Sequence, residues 1–195
     1  IQQGHMVLEL LPDIGWDKGS ALRRITARLG LPRCAVFYAG DDTTDESAFA
    51  ALPTGITVRV GRARTTAARW TAHDPDDVCH LLDSLVLLPY VQGPRVLDIG
   101  TGPGLPGIPL AVARPDCAFT LLDANAKKTR FVTQAVGELG LKNVEVVQAR
   151  VENYRPVEKF DTLVARAFSS IADMLNNAQH LCAPGGRFLA MKGVY

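Results

Sequence analysis

The segment that most constrains this chain begins at Arg95. Arg95-Val96-Leu97-Asp98-Ile99 is a short, largely apolar run that leads directly into Gly100-Thr101-Gly102-Pro103-Gly104 and on to Gly107. A buried strand, a glycine loop and a helix over about residues 108–114 make the opening unit of a βαβ fold. The rhythm then repeats. Ala118 to Leu122 reads as a strand ending at Asp123, 126–139 as a helix stopped by Gly140, and Val144 to Gln148 as a strand. Asp161 to Ala165 reads as another strand and 171–181 as a helix, and Pro184-Gly185-Gly186 turns into a last strand from Phe188 to Met191. Strands alternating with helices predict a parallel sheet with right-handed crossovers.

The first part of the chain has a similar but looser pattern. Met6 to Leu11 is strand-like, and Asp17 can cap a helix over 18–29 in which Ala21, Leu22, Ile25 and Leu29 recur at helical spacing, with Gly30 where it ends. Ala35 to Tyr38 reads as a buried strand, about 46–52 as a helix, and Ile56 to Val60 and Arg69 to Ala72 as strands. Asp74-Pro75 opens a helix to about residue 88, with proline in the first turn. A length of 195 residues suits one ordinary domain or two small ones. With 47% hydrophobic and 21% charged residues the chain is not of the disordered class. No stretch of about 18 uncharged apolar residues marks a membrane span. The N-terminus lacks the basic start and apolar core of a signal peptide. Cys34, Cys79, Cys117 and Cys182 are scattered, with no CxxC pair. That argues against a zinc site or disulfide framework and for a reducing, cytoplasmic setting. Both ends read as cuts through larger domains.

Two loops carry candidate chemistry. In the first, glycines at 100, 102 and 104 permit positive φ and a close approach of backbone to a ligand. Asp123, 25 residues after Asp98, closes the second strand, where it can accept hydrogen bonds from ribose hydroxyls. The alternative is a tight strand-to-helix turn with a surface Asp. Pro103 and Pro106 remove two backbone donors, which disfavours a pyrophosphate cradle and favours S-adenosylmethionine (SAM), which has no phosphate. In the second loop, Gly40-Asp41-Asp42-Thr43-Thr44-Asp45-Glu46 follows a buried strand. Its carboxylates suit a hard cation such as Mg²⁺, or they cap a helix N-terminus.

Two resemblances follow from these motifs. Gly15-Trp16-Asp17-Lys18-Gly19-Ser20-Ala21-Leu22, then Tyr38 through Phe49, with Val58-Arg59-Val60-Gly61 and Thr65-Thr66-Ala67-Ala68, resemble the C-terminal part of trehalose-phosphate phosphatases of the haloacid dehalogenase superfamily. The resemblance covers about 1–79. It implies Lys18 as a phosphate contact and Asp41 and Asp45 as a remnant, weak Mg²⁺ site. The superfamily's nucleophilic DxDxT/V strand motif is absent, so no aspartyl-phosphate can form and no phosphatase activity is expected.

Residues of about 80–195 resemble the small-subunit rRNA (guanine-N7) methyltransferase G family, also called glucose-inhibited division protein B. The resemblance rests on His80-Leu81-Leu82-Asp83-Ser84, Leu88 through Gly93, Asp98 through Leu110, Leu121-Leu122-Asp123, Arg150-Val151-Glu152, Ala165-Arg166-Ala167-Phe168 and Lys192-Gly193. It implies SAM as cofactor, with Gly100, Leu105, Val151, Glu152 and Arg166 contacting it and Asp98 and Asp123 as the acidic positions of the class; Gly102 belongs to the same loop. Core packing for Leu105 and Val151, and a surface ion pair for Arg166, are the structural alternatives. The family's final strands are missing, so reduced activity is expected.

Charge says little about partners. Residues 80–195 carry 12 basic and 10 acidic side chains, and 1–79 carry nine and ten. Small-subunit rRNA is therefore expected to bind weakly, and Lys127, Lys128 and Arg130 suit an RNA contact or a solvated helix face equally. The chain reads as α/β throughout: a Rossmann-like parallel sheet of class I methyltransferase type at 80–195, joined within one helix to a partial haloacid-dehalogenase-like segment at 1–79. Such a chimera, engineered or recombined, either keeps methyl transfer or is a non-catalytic hybrid. Open sheet edges predict one hybrid sheet, or self-association by strand exchange.

Overall fold

A computed structural model of the protein describes residues 2–4, 7–9, 15–62, 65–166 and 170–191. Internal contacts divide the chain into two compact units, Ile1–Cys79 and His80–Tyr195.

In the first unit β1 (Gln2–Gly4) and β2 (Val7–Glu9) form an antiparallel hairpin. Helix α1 (Lys18–Leu29) starts where the Asp17 side chain accepts the Ser20 N–H, and stops at Gly30 in the left-handed conformation. Strand β3 (Phe37–Gly40), helix α2 (Glu46–Ala51) and strands β4 (Ile56–Val60) and β5 (Trp70–Ala72) follow. The strands pair in parallel in the order β3-β4-β5. The core is formed by Ala48, Phe49, Ala51, Leu52 and Val58, with Tyr38 edge-on to Phe49. The strand expected at Ala35 to Tyr38 begins later, because Arg33–Ala35 form a 3-10 turn first. The apolar stripe of α1 is only partly covered, with Ala21 and Leu22 half-buried. Ile25 and Leu29 are 52% and 62% exposed, while Gly19 and Thr26 are buried. Gly19 is what brings α1 in: a Cβ there would collide with the Ser47 backbone of α2, and its N–H donates to Ser47 Oγ.

Helix α3 (Pro75–Leu85) carries the boundary at Cys79 and His80 and ends three residues short of the expected 88. The second unit holds β6 (Arg95–Ile99), α4 (Gly107–Ala113), β7 (Ala118–Asp123), α5 (Ala126–Glu138), β8 (Val144–Gln148), β9 (Phe160–Ala165), α6 (Ile171–Ala178) and β10 (Cys182–Ala190). All its strands are parallel, in the order β10-β9-β6-β7-β8. Alternation along the strands feeds two cores. Val96, Phe119, Leu121 and Val164 pack with Leu110 and Ala111 of α4 and Val132 of α5. Leu97, Ile99, Leu122, Leu163 and Ala165 pack with Met174 and Ala178 of α6. Helices thus cover the sheet through separate clusters, as a buried parallel sheet requires. The turn expected at Pro184-Gly185-Gly186 is a register shift inside β10, between Cys182 and Arg187.

The hybrid sheet does not form: among the described residues the strands of each unit pair only with one another. The central strands β4 and β6 are each flanked on both sides by strands of their own unit, which satisfies their backbone groups locally. No helix among the described residues is long and apolar enough to cross a membrane.

Candidate functional site

The strand order of the second unit creates a switch point. From β6 the chain runs outward through β7 and β8, then crosses to β9 on the other side of β6. Ligands of open parallel sheets bind at the carboxyl ends of the strands beside such a reversal, and there the glycine loop stands. Gly100, Gly102 and Gly104 have φ of 68°, 61° and 95°. A Cβ on the exposed Gly100 would point into open space, and one on Gly102 would touch only the Gly100 carbonyl oxygen at 3.8 Å, so the loop presents bare backbone at Gly100.

The loop's own donors are all used inside the protein. The N–H groups of Gly100 and Thr101 donate to the Leu122 carbonyl at 2.8 and 3.0 Å, and those of Gly104 and Leu105 to the Thr101 carbonyl at 2.9 and 3.1 Å. Gly102 N–H donates to Asp123 Oδ2 at 3.0 Å, Gly107 N–H to Asp98 Oδ2 at 2.9 Å, and Ile108 N–H to the Gly104 carbonyl. Pro103 and Pro106 have none to give. An anion cradle needs free N–H groups, and this loop keeps none back for a phosphate.

Two aspartates hold it. Asp98 is fully buried, and its Oδ2 accepts both the Thr101 hydroxyl, at 2.6 Å, and Gly107 N–H, tying the two ends of the loop together. Its Oδ1 has no hydrogen-bond partner among the described residues. Burial pushes its carboxyl up to about 6; Thr101, Gly107 and the nearby Arg166 charge oppose that rise, and Asp123 adds to it. Gly107 is obligatory here, since a Cβ would collide with Leu121 and Asp98. Asp123 accepts Gly102 N–H on one oxygen and Asn125 N–H, at 2.8 Å, on the other. Asn125 in turn caps α5, and Lys128 Nζ stands 4.0 Å from Asp123.

The structure therefore gathers Asp98, Gly100, Gly102 and Asp123 into one hydrogen-bonded assembly. Leu105 is half-buried within the loop, and Arg166 follows β9 close enough for its charge to act on Asp98. Val151 and Glu152 lie on a 3-10 turn after β8, whose end is joined to Asp123 through Ala149 N–H. Val151 packs against the α6-side core, and Glu152 is exposed, 3.7 Å from Arg150. Ala167, Phe168, Lys192 and Gly193 lie outside the described residues. Thr101 is a residue of this assembly that the glycine motif alone does not single out. Its place three residues after a strand-end Asp, like Gly107 opening the next helix, was the signal available.

In the first unit Lys18 Nζ donates to Asp45 Oδ1 at 2.7 Å, as does the Tyr38 hydroxyl at 2.7 Å, while Asp42 N–H donates to Asp45 Oδ2 at 3.0 Å. Asp42 and Asp45 form a capping box over the 3-10 turn that leads into α2. Burial raises the Asp45 carboxyl, but the Lys18, Asp42 and Tyr38 hydrogen bonds outweigh it and hold it below the usual value. Gly40 allows this packing, because a Cβ there would meet the Asp45 carboxyl. Asp41 is exposed. Among the described residues no group of three or more His, Cys, Asp or Glu is gathered that could hold a metal ion.

The second unit's sheet and loop define an α/β fold of the class I SAM-dependent methyltransferase type. Its solved likenesses agree: coclaurine N-methyltransferase bound to N-methylheliamine and SAH, with TM-score 0.52 and 18% identity, covers 62% of this chain and 36% of that one. The YcgJ protein from Bacillus subtilis, with TM-score 0.50 and 23% identity, covers 57% and 50%. Residues 72–195 match the model of GidB, rRNA small subunit methyltransferase G, and the chain belongs to that family. Relatives named ribosomal RNA small subunit methyltransferase G include that of Nitrosococcus oceani, 60% identical over 58% of this chain and 53% of its own. That of Psychromonas ingrahamii is 52% identical over 64% of this chain and 61% of its own. The chain thus spans little more than half the length of these relatives. Residues 1–75 match the trehalose-phosphatase model.

Proposed function

We propose that the second unit, about 80–195, binds SAM at the Gly100 to Gly104 loop and transfers its methyl group to guanine N7 of small-subunit rRNA. The observation that carries this reading is the loop's self-satisfied backbone: with every N–H from Gly100 to Ile108 directed inward, the site suits a ligand that brings no phosphate. When bound, the cofactor supplies an electrophilic methyl on a sulfonium. Gly100 and Gly102 leave room against the backbone, and Leu105 and Val151 supply apolar contact. Glu152 and Asp123 offer carboxylates to hydroxyls, and Arg166 lies near enough for its charge to lower the buried Asp98 carboxyl, though burial outweighs it. Guanine N7 carries a lone pair and no proton, so no general base is needed, and in-line positioning supplies most of the rate. The near-balanced charge of this unit favours weak RNA binding, in a reducing cytoplasm, with Lys128 beside Asp123 and Lys127 and Arg130 on the same helix α5. In the first unit a Mg²⁺ at Asp41 and Asp45 would have to displace the Lys18 ammonium, so any binding there is weak. The test is calorimetric titration with S-adenosylhomocysteine (SAH), followed by a methyl-transfer assay on protein-free small-subunit RNA. Saturable one-to-one binding and incorporation at guanine support the reading; no SAH binding refutes it.

A further inference from the structure

The two acids of the loop differ in one respect. Asp123 has both carboxylate oxygens committed to backbone N–H groups, with the Lys128 ammonium 4.0 Å away. Asp98 commits a single oxygen, to Thr101 and Gly107, and its other oxygen is buried without a partner among the described residues. Among the described residues the charged groups acting on it are Arg166, after β9, and Asp123, at the end of β7. Its remaining partners, the Thr101 hydroxyl of the loop and the Gly107 N–H of α4, are neutral. Asp98 is thus the acid of this site whose charge the protein leaves least compensated.

We propose that Asp98 is the group by which the loop site distinguishes the charged methyl donor from its neutral product. This rests on the methyltransferase reading above. SAM carries one net positive charge at neutral pH, and SAH, without the sulfonium, carries none. In a dry interior an ionised carboxylate favours the first over the second. Below about pH 6 the protonated Asp98 releases its proton to solvent as the donor binds and takes one back from solvent once the sulfonium charge has been lost, which weakens the hold on the product. Burial places the carboxyl at about 6 in the empty site, so both protonation states are within reach near neutrality. The sign follows from linkage. A carboxyl whose value is lowered by the donor gives full affinity above about 6, and affinity falls as the pH drops through that value, by up to about tenfold per pH unit.

Calorimetry on the full chain tests this, with SAM and SAH each titrated between about pH 5 and pH 7 in two buffers of different ionisation enthalpy, so that released protons are counted directly. We expect SAM affinity to fall about tenfold over that range, with about half a proton released near pH 6 and close to one near pH 5, while SAH changes less than about threefold. Asp98→Asn flattens the SAM profile and abolishes the proton release. Thr101→Val, which removes one donor to the carboxylate without altering its packing, moves the SAM midpoint to higher pH, and it decides the matter if Asp98→Asn does not fold. Identical pH slopes and proton counts for the two ligands, or a Thr101→Val profile that superimposes on wild type, overturn the inference while leaving the methyltransferase reading intact. No binding of either ligand at any pH overturns both.

Discussion

Each unit ends a parallel strand in an acid-bearing loop, and the two loops resolve the same physical problem in opposite ways. After β3, Asp45 is buried but surrounded: Lys18, Tyr38 and the Asp42 N–H satisfy both oxygens, and its carboxyl lies below its ordinary value. After β6, Asp98 is buried with one oxygen unpaired among the described residues, and its carboxyl is raised to about 6. A buried carboxylate whose hydrogen bonds are complete acts as a structural brace. One left with an unpaired oxygen carries a cost that folding alone does not explain, and such costs collect where ligands bind. The first loop is a helix cap; the second has the buried, unpaired acid that our proposed site requires.

The largest effect should come from breaking the second loop where it is tightest. Gly107→Val drives a side chain into Leu121 and Asp98. It should cost about 1–3 kcal/mol of stability and abolish SAH binding, by thermal melting and calorimetry. Next, Asp45→Asn removes the charge that Lys18 and Tyr38 complete. The first unit should lose about 1–3 kcal/mol, with SAH affinity unchanged. An affinity change there would mean that the two loops are not independent. A smaller effect separates the loops by pH. Asp45, lowered in the fold, contributes stability that is present above the unfolded carboxyl value and is lost as the pH falls through the lower folded value. Asp98, raised in the fold, does the reverse: its burial penalty is absent at low pH and is felt as the pH rises through about 6. Hydrogen exchange from about pH 3 to 8 should show the first unit's helix α1 loosening at the acid end and the second unit's loop loosening at the neutral end. The smallest effect is none at all: trehalose phosphate should not be hydrolysed, and Asp41→Asn should change neither phosphate release nor stability.

Much of this was legible in the residues. Helix α1 and strands β4, β6 and β8 lie where periodicity and caps put them, because those signals are local. The glycine loop and its two aspartates were equally plain. What was not legible depends on partners distant in sequence. Nothing in the spacing shows that Lys18 reaches across 27 residues to Asp45, and that pairing, with the capping box, is what decides between a metal site and a brace. The stripe of Ile25 and Leu29 predicts the helix correctly but not its buried face, since Gly19 sets how α1 docks. The hybrid sheet was expected from strand counting, yet strand pairing is a tertiary choice, and each unit pairs its own strands.

The central claim is that the bare backbone of the second loop is a binding surface and the acidic loop of the first is not. The most direct measurement is SAH affinity in the wild type and in Gly102→Val. Gly102 sits at φ 61°, and a Cβ there would meet nothing closer than the Gly100 carbonyl oxygen at 3.8 Å, so valine adds bulk at the loop without a collision but strains its left-handed backbone. The account predicts saturable binding to the wild type and none to the variant, with the variant still unfolding cooperatively at a melting temperature lowered by the strain at this φ. Equal affinity in the two proteins, or none in either, would contradict it.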